Sequence, residues 1–292
     1  MSSDSRPDES SAAIEHVSDT ALWVAMYRAL ESERPDAHFR DPYARRLAGS
    51  RGQRILESMG GGGSSGWAMV VRTSLLDEIL LRLARGPGMG VVLDLAAGLD
   101  ARPWRLPLPS TLRWVDVDLP DMLAHKRSVL AGEPASCRYQ AEALDLRDRS
   151  LRRERLPALA RGGAPGLAMT EGLLIYLAAE EVADLATDLH AIPELRWWLM
   201  DLVSPEAVRW LRRRWGRQLA SAPFRFAPAE GSRFFEPFGW REVEFRSLWD
   251  EARRLRREMP HAWLWRLIAR FAPATRRERL RRISGIVLLE RV

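Results

Sequence analysis

The stretch VVLDLAAGLDAR, residues 91–102, constrains the fold more than any other part of this 292-residue sequence. A short apolar run interrupted only by Asp94 ends at Leu95 and is followed directly by Ala-Ala-Gly. An apolar run of this kind, without a regular alternation of polar residues, predicts a strand that is buried on both faces, as in a parallel sheet. Small residues after such a strand let the backbone approach a ligand, and ligands of open parallel sheets bind beyond the carboxyl ends of the strands. The stretch therefore predicts the first strand of an α/β sheet with a ligand-binding turn at its end.

After Gly90, short apolar strands alternate with helical segments. The predicted strands are Val91–Leu95, Leu112–Val117, Ser136–Ala141, Leu167–Thr170, Arg196–Leu202, Glu242–Phe245 and Gly285–Leu289. This alternation predicts an α/β fold with a mostly parallel seven-stranded sheet and helices on both faces. Between the fifth and sixth strands, residues of about 205–238 form a long insert rich in Trp and Phe. We expect these aromatic residues either to line an organic substrate pocket or to pack a helical insert.

The chain divides into three predicted parts. Residues 1–17 are small and polar, which is typical of a disordered leader. Residues 18–86 have a helical pattern and are predicted to form a helical cap or lid, with a flexible glycine-rich joint at Gly60–Gly66. Residues 87–292 are predicted to form the α/β core that carries the insert.

The composition excludes several classes of protein. The chain start lacks a secretory signal, and no apolar run reaches the roughly 18 residues of a membrane span, so we expect no membrane partner. Cys137 is the only cysteine, so we expect no disulfide and no metal site, in a reducing cytoplasm. The net charge is +6, but acidic residues alternate with arginines at helical spacing, which disfavours a nucleic-acid partner. The composition leaves the oligomeric state open.

Acidic residues follow three of the predicted strands, at the edge where a ligand is expected. Asp118, about 20 positions after Gly98, is placed to accept hydrogen bonds from ribose hydroxyls, or else it caps the helix at Pro120. Asp145 can accept a hydrogen bond from an exocyclic amine, or it lies in a solvated turn. Glu171 is costly to bury unless it is paired or contacts a cation. The first turn lacks GxGxxG, which disfavours a nicotinamide dinucleotide.

Several segments together resemble the leucine carboxyl methyltransferase-like family. VVLDLAAGLDARPWRL, WVDVDLPDMLAHKR, LDLRD and TEGLLIYL occur in the order and spacing of that family, and TALWVAMYRALES, RDPYARRLAG and FGWR also resemble it. The resemblance covers about residues 18–292 and is closer to the bacterial branch, which includes polyketide carboxyl methyltransferases, than to the phosphatase-methylating branch. It implies the class I Rossmann-like fold and an S-adenosyl-L-methionine-dependent O-methyltransferase.

The resemblance also implies roles for individual residues. Arg72 would hold the methionine carboxylate of the cofactor, because arginine binds a carboxylate through two parallel hydrogen bonds. The other implied cofactor contacts are Gly98 beneath the cofactor, Asp118 at its ribose, Asp145 and Leu146 at its adenine, and Glu171 at its methionine end. Two features depart from the family. Ala96 replaces a glycine of the turn, and the lysine that the phosphatase branch has near the amino terminus is absent, with Arg28 as its candidate replacement.

The predicted reaction is carboxyl O-methylation of a small, fairly apolar secondary metabolite. A carboxylate is ionised at about pH 7 and needs no base, whereas a phenol with a pKa of about 10 needs a base or a nearby cation. Tyr176 and Arg72 are the candidates for the acceptor side of the pocket. Three alternatives stay open: methylation of a phenol or other hydroxyl of a natural product, carboxyl methylation of a protein C-terminus, and a cofactor-binding protein without catalysis.

Overall fold

The computed structural model describes residues 14–60, 66–86, 88–162 and 164–292. Their strands form a seven-stranded sheet with the order β3-β2-β1-β4-β5-β7-β6. The strands are β1 Val91–Leu95, β2 Arg113–Asp118, β3 Arg138–Ala143, β4 Gly166–Thr170, β5 Leu195–Val203, β6 Trp240–Ser247 and β7 Ser284–Arg291. Strands β1 to β5 pair in parallel, and β7 pairs antiparallel with β5 and β6. The predicted sheet is confirmed, and each predicted strand lies within two residues of its observed bounds.

Helices occupy most of the connections between the strands. The helices are α1 Asp19–Ser32, α2 Ala44–Ser58, α3 Gly66–Arg85, α4 Arg102–Arg105, α5 Pro120–Val129, α6 Arg149–Ala160, α7 Ala179–His190, α8 Pro205–Trp215, α9 Leu248–Arg254, α10 Ala262–Arg270 and α11 Ala274–Arg281. Short 3₁₀ helices cover Leu174–Tyr176 and Gly231–Phe238. None of the helices in the described ranges has both the length and the apolar character needed to cross a lipid bilayer.

The two faces of the sheet are covered by different helices, because consecutive residues of a strand point to opposite sides. In β1, Val91, Leu93 and Leu95 belong to an apolar cluster with α6 and α7. Val92 belongs to a second cluster, with α3 and α9 on the other face. Every residue of β1 is buried, which explains why this strand is a continuous apolar run rather than an alternating pattern.

The amino-terminal helices and the insert form a third apolar cluster. It contains Trp23 of α1 together with Trp215 and Phe224 of the insert, and it includes Leu99 in the turn after β1. The cap and the insert therefore cover the carboxyl edge of the sheet together. Ile14, which lies within the predicted leader of residues 1–17, is buried in the same cluster. Residues 1–13 of that leader and residues 61–65 of the predicted glycine-rich joint lie outside the described residues.

Strands β1 and β4 flank the point where the strand order reverses. From β1 the chain proceeds outward to β2 and β3, and it then returns to the other side of β1 for β4 and β5. Ligands of open α/β sheets bind at such a reversal, beyond the carboxyl ends of the strands. The turns after β1 and β4 are therefore the places where a ligand site is expected.

Candidate functional site

The turn after β1 is narrow, and a hydrogen bond to the next strand holds it. Ala96 and Gly98 have positive φ angles of 55° and 49°, a conformation that glycine adopts at little steric cost. A Cβ atom at residue 98 would lie 3.3 Å from the Cβ of Ala21 in α1, so the cap leaves little room for a side chain. The Gly98 amide donates to Asp118 Oδ2 over 2.6 Å. Two of the predicted cofactor residues are thus in direct contact.

Asp118 lies at the end of β2 and accepts two backbone hydrogen bonds. In addition to the bond from Gly98, its Oδ1 accepts from the Leu119 amide over 2.6 Å, directly before α5. Burial raises the pKa of Asp118, and the two amide bonds offset part of that rise. Asp116, two residues earlier, is fully buried, and its Oδ2 lies 2.6 Å from Lys126 Nζ. Of the two acids of this strand, Asp118 is therefore the one at the sheet edge.

The loop after β3 lies beside Asp118. The Leu144 amide donates to the Asp118 carbonyl over 3.0 Å, which places Asp145 next to the end of β2. The hydrogen bond from Arg147, at 2.7 Å, holds the pKa of Asp145 below its usual value. The carbonyl of Leu146 accepts from an arginine of α6, whereas no described residue accepts from the Leu146 amide. This loop therefore offers a charged acceptor and a backbone donor side by side.

Buried Arg72 and half-buried Glu171 form an ion pair at the carboxyl end of β4. Nε of Arg72 lies 3.0 Å from Oε1 of Glu171, and its Nη1 lies 3.4 Å from Oδ2 of Asp201 on β5. The Gly172 amide donates to the other oxygen of Asp201 over 2.7 Å. Gly172 has a φ of +65°, and a Cβ there would lie 3.2 Å from Arg72 Nη1. The guanidinium is thus held by two carboxylates and packed against a glycine.

Both members of this pair remain charged. Burial raises the pKa of Glu171, but the guanidinium groups of Arg102 and Arg72 outweigh it and hold that pKa below its usual value. Burial lowers the pKa of Arg72, but the carboxylates of Glu171 and Asp201 outweigh it and raise that pKa. The guanidinium of Arg72 and the carboxylate of Glu171 therefore lie at the carboxyl end of β4 as a cation and an anion about one hydrogen-bond length apart.

Arg102 joins the turn after β1 to Glu171. It is 1% exposed, its Nη1 lies 2.8 Å from Oε2 of Glu171, and the same nitrogen contacts Asp100. Its Nε lies 2.7 Å from Oδ1 of Asp77 in α3. Burial lowers the pKa of Arg102, but these three carboxylates raise it well above its usual value. Arg102 is therefore a permanent buried cation that fixes Glu171 relative to the turn that carries Gly98.

Tyr176 ends the 3₁₀ helix after β4 and lies beneath the insert. Its ring packs against Phe224 with centroids 5.6 Å apart. Burial raises its pKa, and a hydrogen bond with Thr20 of α1 and the charge of Arg72 offset part of that rise. The hydroxyl thus keeps its proton at neutral pH, between the cap and the Arg72–Glu171 pair.

Arg28 ties α1 to the same edge. Its Nε lies 2.9 Å from Oδ2 of Asp41, and its Nη2 donates to the Leu99 carbonyl over 2.5 Å. Arg28 is the candidate replacement for the lysine that the phosphatase branch has near the amino terminus; the alternative is that this contact is absent here. The contacts of Arg28 with Asp41 and the Leu99 carbonyl attach α1 to the turn after β1.

The structure brings the predicted residues into two adjoining groups. The first contains Gly98, Asp118, Asp145 and Leu146, and the second contains Arg72, Glu171 and Tyr176. Sequence reasoning missed Arg102, Asp201 and Gly172 as members of the site. The sequence contained a signal for two of them. Arg102 is the last residue of VVLDLAAGLDAR, and Asp201 is an acidic residue within an apolar strand. The tight contact of Gly172 depends on a side chain 100 positions away and had no local signal.

Known proteins share long stretches of this sequence. The profile of the family described as leucine carboxyl methyltransferase matches residues 21–190. A candidate S-adenosyl-L-methionine-dependent methyltransferase of Parafrankia sp. is 40% identical over 183 residues, which cover 59% of this chain and 58% of that protein. A protein of Saccharopolyspora erythraea with the same description is 38% identical over 185 residues, which cover 59% of this chain and 62% of that protein. Each match thus spans less than two thirds of the length of these relatives.

Solved structures share the fold over nearly the whole chain. A DUF574 family protein from Streptomyces avermitilis has a TM-score of 0.58 at 15% identity, covering 94% of this chain and 97% of its own. A candidate methyltransferase from Thermobifida fusca has the same TM-score and identity, covering 97% and 96%. At this identity the likeness concerns the fold alone, and it confirms the predicted Rossmann-like arrangement.

Proposed function

Because this chain belongs to the leucine carboxyl methyltransferase family, we propose that it is an S-adenosyl-L-methionine-dependent O-methyltransferase acting on the carboxylate of a small, fairly apolar molecule. The observation that carries the proposal is that the Arg72–Glu171 ion pair and the narrow turn at Gly98 meet where the strand order reverses. The descriptions of both bacterial relatives name the same cofactor.

The first group of residues fits the nucleoside part of this cofactor. Each carboxylate oxygen of Asp118 keeps a lone pair after its backbone hydrogen bond, so both can accept from ribose hydroxyls. Asp145 can accept from the exocyclic amine of adenine, and the Leu146 amide, which donates to no described residue, can donate to a ring nitrogen. Ala96 and Gly98 keep the turn free of large side chains. The narrowness of this turn is thus explained as space for a nucleoside.

The second group fits the amino-acid part. A methionine moiety carries a carboxylate and an ammonium group, and Arg72 and Glu171 offer the two complementary charges. They lie 3.0 Å apart, which suits two oppositely charged groups on one carbon. Asp201 raises the pKa of Arg72 and Arg102 lowers the pKa of Glu171, so both side chains are kept ionised. Glu171 also offsets part of the positive charge of a sulfonium.

When bound, S-adenosyl-L-methionine supplies an electrophilic methyl group on a sulfonium sulfur. The task left to the chain is to hold an acceptor oxygen in line and to exclude water. The cap and the insert cover the edge with the cluster around Trp23 and Phe224, which matches an acceptor with apolar parts. Tyr176 keeps its proton because its pKa is raised, so it can orient an acceptor carboxylate by donating a hydrogen bond. No general base is required, since the acceptor is already ionised at about pH 7.

Calorimetric titration with S-adenosyl-L-methionine tests the cofactor assignment. The wild-type chain should bind, and Asp118→Ala and Glu171→Gln should each weaken binding by about tenfold or more, because hydrogen bonds to charged groups contribute about 1.5–3 kcal/mol. Glu180→Gln, an exposed acid of α7, is the matched control and should leave the affinity unchanged. The absence of any heat with the wild-type chain would overturn the assignment.

Turnover with methyl-labelled cofactor on a panel of carboxylic acids and phenols tests the acceptor. We expect an ester, which releases labelled methanol in mild alkali, and a rate that is level above about pH 6 because carboxylates ionise near pH 4. A product stable to alkali, with a rate that rises towards about pH 10, would assign a phenol instead. Labelled protein would assign a C-terminal carboxylate. Binding without turnover on any acceptor would favour the non-catalytic alternative.

A further inference from the structure

The connection between β6 and β7 is a helical excursion that the proposed function leaves unused. Residues 248–283 contain α9, α10 and α11. Ser284 at the start of β7 pairs with Val203 at the end of β5, so the excursion leaves the sheet at the edge where the parallel strands end. Arg279 of α11 forms an ion pair with Glu206 of the insert. The excursion is therefore attached at the same edge as the proposed site.

Helix α10 presents apolar side chains to solvent. The exposed fractions are 59% for Trp263, 43% for Leu264, 49% for Leu267 and 81% for Phe271, which directly follows the helix. At about 100° per residue, these four positions fall within an arc of about 100° on the helix. Ala262 lies on the opposite side of the helix and is buried. The helix therefore has one exposed apolar face that no described part of the chain covers.

The segment around this helix carries a large positive charge. Residues 253–282 contain 11 arginines and 2 glutamates, which gives a net charge of +9, whereas the whole chain has +6. All other residues together are therefore net acidic. Several arginines of the segment are exposed and form no ion pair with a described residue, namely Arg253, Arg256, Arg270, Arg276 and Arg277.

We propose that α10 and its flanking arginines dock the protein on an anionic lipid surface. A helix with Trp, Phe and Leu on one face and basic residues around it lies at the boundary between headgroups and acyl chains. Each arginine near an anionic leaflet adds electrostatic attraction to it. The expectation of no membrane partner concerned spanning segments, whereas this surface would bind without spanning.

Other occupants match the surface less well. A nucleic acid would match the positive charge, but aliphatic Leu264 and Leu267 offer it neither a cation nor a stacking ring. A second copy of the chain would match the apolar face, but it would bring two segments of +9 together, and like charges at close range repel. An anionic lipid surface satisfies the apolar face and the charge at once.

Vesicle flotation tests the proposal with the full chain. The protein should float with vesicles of phosphatidylcholine containing about one third phosphatidylglycerol and not with phosphatidylcholine alone, with less bound at high salt. The combined change Trp263→Ser, Leu267→Ser and Phe271→Ser should lower the apparent affinity by about tenfold or more. The combined change Arg276→Glu and Arg277→Glu should lower it by about tenfold at low salt.

Matched controls separate this surface from general effects. Val243→Ser removes an apolar side chain of β6 that is 46% exposed. Arg138→Glu with Arg161→Glu reverses two exposed arginines near the starts of β3 and β4. Both controls should float like the wild-type chain, and all variants should keep the circular dichroism spectrum and thermal transition of the wild type, because every changed side chain is exposed.

Four outcomes would overturn the proposal. The first is no flotation of the wild-type chain with anionic vesicles, and the second is an equal loss in variants and controls, which would indicate net charge alone. The third is salt-sensitive binding of RNA without binding of vesicles. The fourth is a concentration-dependent dimer that the apolar variant loses, again without binding of vesicles.

Discussion

Glycine 172 shows how closely a single residue can define this site. A Cβ at this position would lie 3.2 Å from the guanidinium of Arg72, and the φ angle of +65° already disfavours a side chain. Gly132 has a φ of +82° but no atom within 4 Å of the same point. Both glycines therefore have a positive φ angle, but only Gly172 would bring a Cβ into contact with Arg72.

The variants Gly172→Ala and Gly132→Ala separate these two effects. Each should lose about 1 kcal/mol of stability in urea denaturation, because alanine is strained in the left-handed region. Only Gly172→Ala should also weaken the binding of S-adenosyl-L-methionine, by a few-fold to about tenfold, because it displaces a group that makes a charged hydrogen bond. Equal affinities of the two variants in calorimetry would contradict the role of Arg72.

Arg102 acts on the site through another residue. Among the described residues, its side-chain partners are the carboxylates of Asp77, Asp100 and Glu171. Arg102→Gln removes the charge that these carboxylates share, and loss of one partner from a buried charged pair costs about 3–5 kcal/mol. We expect a loss of that order in urea denaturation. Arg161→Gln, at an exposed arginine, should change stability little.

A milder variant distinguishes positioning from stability alone. Arg102→Lys keeps the cation, so the variant should fold. A lysine cannot contact three carboxylates in a fixed fork, so the pKa of Glu171 should be higher than in the wild type. The affinity of this variant for S-adenosyl-L-methionine should then decrease as the pH is lowered below about 7, whereas the affinity of the wild type stays constant over the same range. A pH profile of affinity identical to that of the wild type would assign Arg102 a purely structural role.

At the scale of elements, the cap depends on the attachment of α1 to the sheet edge. Arg28→Lys keeps a cation beside Asp41, but one ammonium cannot reproduce the forked contact with both Asp41 and the Leu99 carbonyl. We expect faster hydrogen exchange in α1 and a higher KM for the cofactor, with a smaller effect on kcat. Arg45→Lys, at an exposed arginine paired with Glu33, is the control and should change neither measurement.

At the scale of the whole molecule, arginines keep many buried or half-buried carboxylates ionised. Burial raises the pKa of each, yet ion pairs and hydrogen bonds outweigh it and leave the pKa below its usual value; examples are Asp19, Asp100, Glu171 and Glu242. A carboxyl with a lower pKa in the folded state stabilises that state fully above its unfolded pKa of about 4, and this contribution is lost as the pH falls through the folded pKa.

The Tm should therefore change little between pH 7 and about pH 5 and should fall steeply below about pH 4. Scanning calorimetry over this range checks the expectation. High salt at neutral pH should lower the Tm only slightly, because buried pairs are screened less than exposed ones. A Tm that is constant down to pH 3 would show that these ion pairs contribute little to stability.

The pKa of Asp94 is shifted in the opposite direction. Burial and the neighbouring charges of Asp100 and Asp116 raise its pKa well above the usual value. Its stabilising contribution is thus present at low pH and is lost as the pH rises through the folded pKa. Asp94→Asn should therefore leave stability nearly unchanged at low pH and should stabilise the protein at high pH. Asp116→Asn is the contrast, because it removes the partner of buried Lys126 and should destabilise at neutral pH.

The sequence by itself determined the elements and the edge of the sheet at which the site lies. Apolar runs and their periodicity are local properties, so the seven strands and the slim turn after β1 follow from short stretches. The positions of Gly98, Asp118, Asp145 and Glu171 directly after strands also follow, because the carboxyl ends of parallel strands share one edge.

Only the tertiary structure decided which charged groups share that edge. Arg72 and Glu171 are 99 positions apart and meet because α3 packs beside β4, and no local pattern encodes that distance. The same holds for the contacts of Arg102 with Asp77 and Glu171 and for the burial of Ile14 beneath the cap. Local hydrophobicity indicates where a strand or helix lies, whereas an ion pair between residues far apart in sequence forms only where packing brings their elements within about 4 Å.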